Sequence, residues 1–294
     1  MAASASPWSI RFTAMSDNAA LIERIKSALE NPGDSPWLPD LTSDLVEVGW
    51  RTLHQETGLS PANYGTSRVI AKSAHAPREV VAYLSSAWAV EVFDERLAGH
   101  YEAAGIEFYT AKEITGANLL SCVEEAINLI KRVPTLYATV AALVKALHLI
   151  KPADDDYDVS FSEPHIPFSI FVSVPQQQSA TTALRIAEAV VHEALHLQLT
   201  LVESILPLVR SSDGKYYSPW RREYRDAKGL LHALYVFRVI NRFLEELSSS
   251  GRCITASYAG IRRWEIAEEI NLTLSFRDCS ELTPVGSGFV RSLM

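Results

Sequence analysis

The feature that most limits what this chain can fold into is the run ALRIAEAVVHEALHLQLTLVESILPL, residues 183–208. Its apolar residues recur at helical spacing, so it is expected to form a helix from about residue 179 to at least 205. That helix carries His192-Glu193-Ala194-Leu195-His196, an H-E-x-x-H pattern. Residues four apart stand one above the other on a helix face, so the two imidazoles can meet on one ion. Imidazole suits several borderline transition metals, and the pair alone does not choose among them. Two ligands do not complete a catalytic site, so a third is expected from elsewhere. Glu203 shares the face, but at 1.5 Å per residue it lies about 10 Å along the axis from His196, too far to reach the same ion. His232, near the start of the next long amphipathic stretch, is the best candidate, because antiparallel neighbouring helices can bring such positions together.

The rest of the chain predicts a mainly α fold: a helical N-terminal region over residues 1–157, then a helical metal-binding region with a small β element over 158–294. Helices are expected over 18–31, 43–57, from after Pro77 to about His100, 117–131 and 135–150. An acidic connector covers 151–157. The runs 159–161 and 168–174, bounded by prolines, are the good strand candidates. A polar turn covers 214–219, and further helices are expected over 228–247 and 257–274.

Composition excludes some functions. The 294 residues carry a formal net charge of -8, which argues against a nucleic-acid backbone or an anionic membrane surface as partner. No stretch reaches the roughly 18 apolar residues of a membrane span, and the N-terminus lacks a secretory pattern. Cys122, Cys253 and Cys279 are odd in number and widely spaced, consistent with reduced thiols in a cytoplasmic protein.

One chemistry for the motif is a zinc peptidase with Glu193 as general base. The extended zincin pattern is excluded, since Leu199 and Val202 stand where it requires Gly and His. A thermolysin-like site would take its third ligand from a downstream helix, where Glu245 or Glu246 could serve.

A longer set of blocks is more specific. The chain carries His192 to His196, then Tyr217-Ser218-Pro219-Trp220-Arg221 with Arg225 four residues on, then Gly229-Leu230-Leu231-His232-Ala233. Over residues 160–245 this succession resembles the 2-oxoglutarate-dependent, H-E-x-x-H-type peptide β-hydroxylases of ribosomal peptide natural-product pathways. It departs from their pattern at Asp226, where proline is expected, and at Ala233, where glycine is.

The resemblance implies an Fe(II) centre held by His192, His196 and His232, using 2-oxoglutarate and O2 to hydroxylate the β-carbon of a residue in a precursor peptide. Arg221 and Arg225 are the candidates for the co-substrate's remote carboxylate, because guanidinium matches a carboxylate as a planar fork. Tyr217 and Trp220 would line the same pocket. Glu193 would orient a ligand or touch substrate. A non-catalytic peptide-binding partner of a biosynthetic complex is the alternative from another class. His54, His75, His100 and His148 are expected to be structural or exposed, with His165 a reserve ligand.

Overall fold

The computed structural model describes residues 15–73, 75–85, 88–93, 101, 103, 105–154, 158–211, 213–249 and 256–294. His100 and Cys253, singled out above, lie outside them. In chain order the elements are α1 (Met15–Glu30), α2 (Pro39–Thr57), α3 (Thr66–Ile70), β1 (Val80–Leu84), β2 (Trp88–Glu91), β3 (Glu107–Phe108), α4 (Ala111–Gly116), α5 (Leu119–Lys131), α6 (Pro134–Leu143) and β4 (Ala146–Lys151). There follow β5 (Ser160–Phe161), β6 (Ser169–Ser173), α7 (Thr182–Ile205), β7 (Tyr216–Ser218), β8 (Glu223–Arg225), α8 (Ala227–Ser249), α9 (Ala256–Asn271) and, after a short 3-10 turn, α10 (Pro284–Leu293).

The fold is mainly α with a small mixed sheet. Its strands run in the order β1-β2-β4-β6-β5, with β3 pairing the far end of β4. The inner pairs β2–β4 and β4–β6 are parallel, and the outer pairs are antiparallel. Since β4 pairs with β6, the sheet crosses residue 157, and one apolar cluster joins residues from both sides of that point. The two regions read from the sequence therefore share a sheet and a core.

Two helix expectations are corrected. The segment after Pro77 forms the β1–β2 hairpin, with Leu84 paired to Trp88 and Ser85 at φ 52° in the turn. The expected helix over 135–150 ends at Leu143, and Ala146–Lys151 becomes the central strand β4. Strands β2 and β4 are almost wholly buried, so their apolar residues do not alternate with polar ones. The N-terminal half is thus not all helical, because it supplies β1 to β4.

Helix α7 is buried on most of its circumference, with Ala187, Val190, Val191, Ala194, Leu195, Leu199 and Val202 all closed to solvent. It packs against α2, α5, α6, α8 and strand β6. A helix apolar nearly all round belongs at the centre of a core. One stripe stays half open, and it holds His192, His196 and Thr200. Across it, Gln198 donates to the Trp37 carbonyl (2.9 Å) and accepts from the Tyr235 hydroxyl, tying α7 to the α1–α2 connection and to α8.

Candidate metal centre

Helices α7 and α8 lie antiparallel, as four contacts show. Glu203 meets Lys228 and His232, His196 meets His232, and His192 meets Phe237. This is the arrangement that brings His232 to the motif pair. His192 Nε2 stands 3.1 Å from His196 Nε2, and His196 Nδ1 stands 3.1 Å from His232 Nδ1. Two nitrogens bound at about 2.1 Å to one ion are roughly 3.0–3.4 Å apart, so each spacing suits an ion shared by that pair.

The three rings form a chain with His196 in the middle. Among the described residues no three His, Cys, Asp or Glu side chains converge as a metal-holding group. The reason is that His196 presents a different nitrogen to each neighbour. The ring atom between those nitrogens is Cε1. A half-turn about the last side-chain bond, one of the two-fold states open to an imidazole, exchanges Cε1 with Nε2 and sets a nitrogen between both neighbours. As a donor set the residues fit a borderline transition metal.

Burial and nearby charges keep the motif imidazoles neutral. Burial, helped by the Arg221 and Arg262 charges, pushes His192 down to about 4. Burial first, then His192, His232, Arg225 and Arg221, holds His196 well below the ordinary histidine range. A neutral imidazole is the form that ligates a metal.

Glu193 lines the same pocket as the histidines and is held there in a clamp. Its Oε1 accepts from Ser160 Oγ (2.7 Å) and its Oε2 from Ser162 Oγ (2.9 Å), which fastens β5 and the residues after it to the motif helix. It also stands 3.9 Å from His192 Nε2. Burial raises its carboxyl to about 7, against the serine hydrogen bonds and the Arg221 charge.

Glu203, set aside above on axial distance, is a site residue that sequence reasoning missed. It does not join the motif pair, but its Oε2 is 2.9 Å from His232 Nε2 and 3.0 Å from Lys228 Nζ. Burial pushes this carboxyl up, but His232 and Lys228 outweigh that and hold it below the usual carboxylate range. Its recurrence on the His192–His196 face was the available signal.

A polar pocket of about 360 Å³ opens over the imidazoles, and Arg221, Arg225, Lys228, Ser160 and Ser162 are among its other lining residues. No described carboxylate lies within ion-pair distance of Arg221, whereas Arg225 is 4.0 Å from Glu223. Asp226, where the resemblance expects proline, caps α8 by accepting from Gly229 N (2.7 Å). A Cβ at Gly229 would meet Asp226 Oδ1 at 3.0 Å and Arg225 Nε at 3.1 Å. The pocket adjoins an apolar cleft of about 150 Å³ between α2, the β5–β6 connection and α7, and shares Pro164, Leu197, Thr200 and Lys228 with it.

Other candidates fall elsewhere. Tyr217 does not line the pocket, because strand alternation on β7 turns it outward while Ser218 is buried; its ring is exposed and edge-on to Tyr224. Trp220 stacks on Phe237 behind His192 instead of lining the pocket. Glu245 and Glu246 pair with Arg242, and Glu245 also with Arg263, some 20 Å along α8 from His232 at the helical rise. They cannot supply a third ligand. His165 is exposed and paired with Glu163, and His148 is buried in the sheet against Thr66.

Compared with known protein families and with curated proteins, the chain matches none. Among the described residues no helix is long and apolar enough to cross a membrane.

Proposed function

We propose that this protein is a non-haem Fe(II)/2-oxoglutarate oxygenase that hydroxylates the β-carbon of an amino-acid side chain in a ribosomally made precursor peptide. The observation that carries the reading is the row of His192, His196 and His232 in 3.1 Å steps along a pocket also lined by Arg221 and Arg225. These histidines would hold the iron. Bound there with dioxygen and 2-oxoglutarate, it supplies hydroxylation of an unactivated C–H bond, the co-substrate leaving as succinate and carbon dioxide.

The chain's own residues bind and orient. Arg221, with no described carboxylate at ion-pair distance, takes the remote carboxylate of 2-oxoglutarate, and Arg225 adds charge beside it. Glu193, held by two serines, fixes β5 against the motif helix. The apolar cleft joined to the pocket accepts part of the peptide. We place the reaction in the cytoplasm, where Fe(II) and 2-oxoglutarate are supplied; nucleic acid and membrane are not partners in this reading.

The test is anaerobic reconstitution with Fe(II), followed by 2-oxoglutarate. A visible charge-transfer band, followed by succinate release on admitting oxygen and loss of both in His232→Ala, is the expected result. Tight stoichiometric zinc with no band would favour the zinc peptidase, a reading to which Glu193, 3.9 Å from His192 Nε2, lends support. Peptide binding with neither activity would favour a non-catalytic partner.

A further inference from the structure

We propose that Glu203 is a positioning residue, which takes the Nε2–H of His232 and so offers the Nδ1 of that ring to the metal-binding position. Glu203 Oε2 faces two groups, His232 Nε2 at 2.9 Å and Lys228 Nζ at 3.0 Å. Beside an ammonium the carboxylate is ionised and offers lone pairs only, so a ring nitrogen held 2.9 Å from it carries the proton, which places the proton of His232 on Nε2. A neutral imidazole with Nε2 protonated has its lone pair on Nδ1. That nitrogen is the one turned toward His196.

Both partners are closed in. The side chains of His232 and Glu203 are 9% and 8% exposed, so the bond is largely shielded from water, and turning the ring would leave the carboxylate with Lys228 alone. A ligating histidine whose other nitrogen is held by a carboxylate has its tautomer and orientation set in advance. Glu203 lies seven residues past His196, two turns along the same face, so one helix supplies two ligands and the support for the third.

The tautomer does not depend on the reading of the site as a metal centre, but the consequence for metal affinity rests on it. Long-range proton–nitrogen NMR of the 15N-histidine-labelled full chain, treated with chelator and held near pH 8, reads the tautomer directly, with His232→Asn assigning the signal. The expected pattern is a protonated Nε2 and an unprotonated Nδ1. That pattern should survive in Glu203→Gln, whose amide oxygen still accepts, and be lost in Glu203→Ala. A protonated Nδ1 in the wild-type chain overturns the proposal without any variant, and so does an unchanged pattern in Glu203→Ala.

Competition with a chelator for Co(II) supplies the second readout. Glu203→Ala is expected to weaken binding by about 10–100-fold, with Glu203→Gln substantially closer to wild type. Equal affinity in all three overturns the positioning role. A wild-type chain that binds no Co(II) refutes the metal centre, and the NMR pattern still decides the role of Glu203.

Discussion

Glu193→Gln separates the two enzymatic readings, because the structure predicts almost no effect on the fold. The carboxylate is buried and accepts one hydrogen bond from each of two serines, at 2.7 and 2.9 Å. An amide of the same shape accepts from one hydroxyl and donates to the other, so both contacts survive. A neutral hydrogen bond is worth about 1 kcal/mol and one to a charge about 1.5–3. Part of that difference is returned because the amide, unlike the carboxylate, brings no charge into the core. The net change should stay within about 1 kcal/mol, or roughly 2–4 °C in Tm for a chain of this size. If Glu193 orients and clamps, succinate release by the iron-reconstituted variant should remain within about tenfold of wild type. If it is a general base, peptide cleavage by the zinc-loaded variant should fall by about 10²–10⁴ with metal content unchanged. The assay pairs succinate release by the iron form and peptide cleavage by the zinc form with thermal unfolding and metal analysis. A folded, metal-replete variant that has lost more than about a hundredfold would refute the clamp. As a control, removing both serine hydroxyls strips the buried carboxylate of these donors, and should cost about 1–3 kcal/mol for each.

Three further outcomes are expected. Arg221→Ala should raise the 2-oxoglutarate dissociation constant roughly 10–100-fold, the worth of a charged carboxylate fork, and Arg225→Ala less; titration of the charge-transfer band measures both, and the reverse order would reassign the anchor. His148 is pushed down from 6.5 to about 3 by burial, so the fold favours its neutral form: the stability it contributes is whole above about pH 6.5 and is lost as pH falls toward 3. In urea unfolding, the wild type should lose about 2 kcal/mol relative to His148→Phe between pH 7.5 and 5, and a pH-independent difference would refute the linkage. A Cβ on Gly286 would stand 2.1 Å from the Leu208 carbonyl oxygen, so Gly286→Ala must push α10 off the chain before it. This should cost about 2–3 kcal/mol and lower Tm by roughly 5–10 °C; an unchanged Tm would show that α10 shifts freely.

The parts of the fold legible in the sequence are those with an uninterrupted helical period. Helices α1, α2, α5, α7, α8 and α9 lie close to where spacing puts them, as do β5 and β6 between their prolines. The strands β1, β2 and β4 read as helix for physical reasons: β2 and β4 lie inside the sheet and are buried on both faces, and in the edge strand β1 and its turn Val80, Val81, Leu84 and Trp88 fall at spacings a helix would also give. Pairing partners far along the chain decide such segments. In the site, His192 and His196 follow from local geometry, and His232 from the antiparallel packing of the next long helix. Tyr217 failed on a detail of two-residue alternation within a three-residue strand too short to be read. Glu203 was excluded as a ligand by axial distance, which remains correct. Its role became visible only once His232 stood beside it, since a carboxylate that cannot reach an ion can still reach the back of a ligand that does.

What distinguishes an oxygenase from a zinc site on this scaffold is not the imidazoles. Nitrogen donors of this kind bind zinc, nickel or copper at least as firmly as ferrous iron, and the clamp on Glu193 serves either chemistry. The rim offers the discriminating test. Arg221, with no described acid at ion-pair distance, suits either the remote carboxylate of a dicarboxylate or the oxyanion of a peptidase, and it lowers the affinity of His192 and His196 for protons, as it would for any cation. A site that tolerates this repulsion gains from it only if an anion binds between the arginine and the metal. A dicarboxylate that chelates the ion at one end and meets Arg221 at the other offsets that repulsion at both points. Metal and dicarboxylate should therefore bind cooperatively: 2-oxoglutarate should tighten Co(II) binding in the wild-type chain and do so much less in Arg221→Ala, and equal tightening in both would remove the rim from the argument.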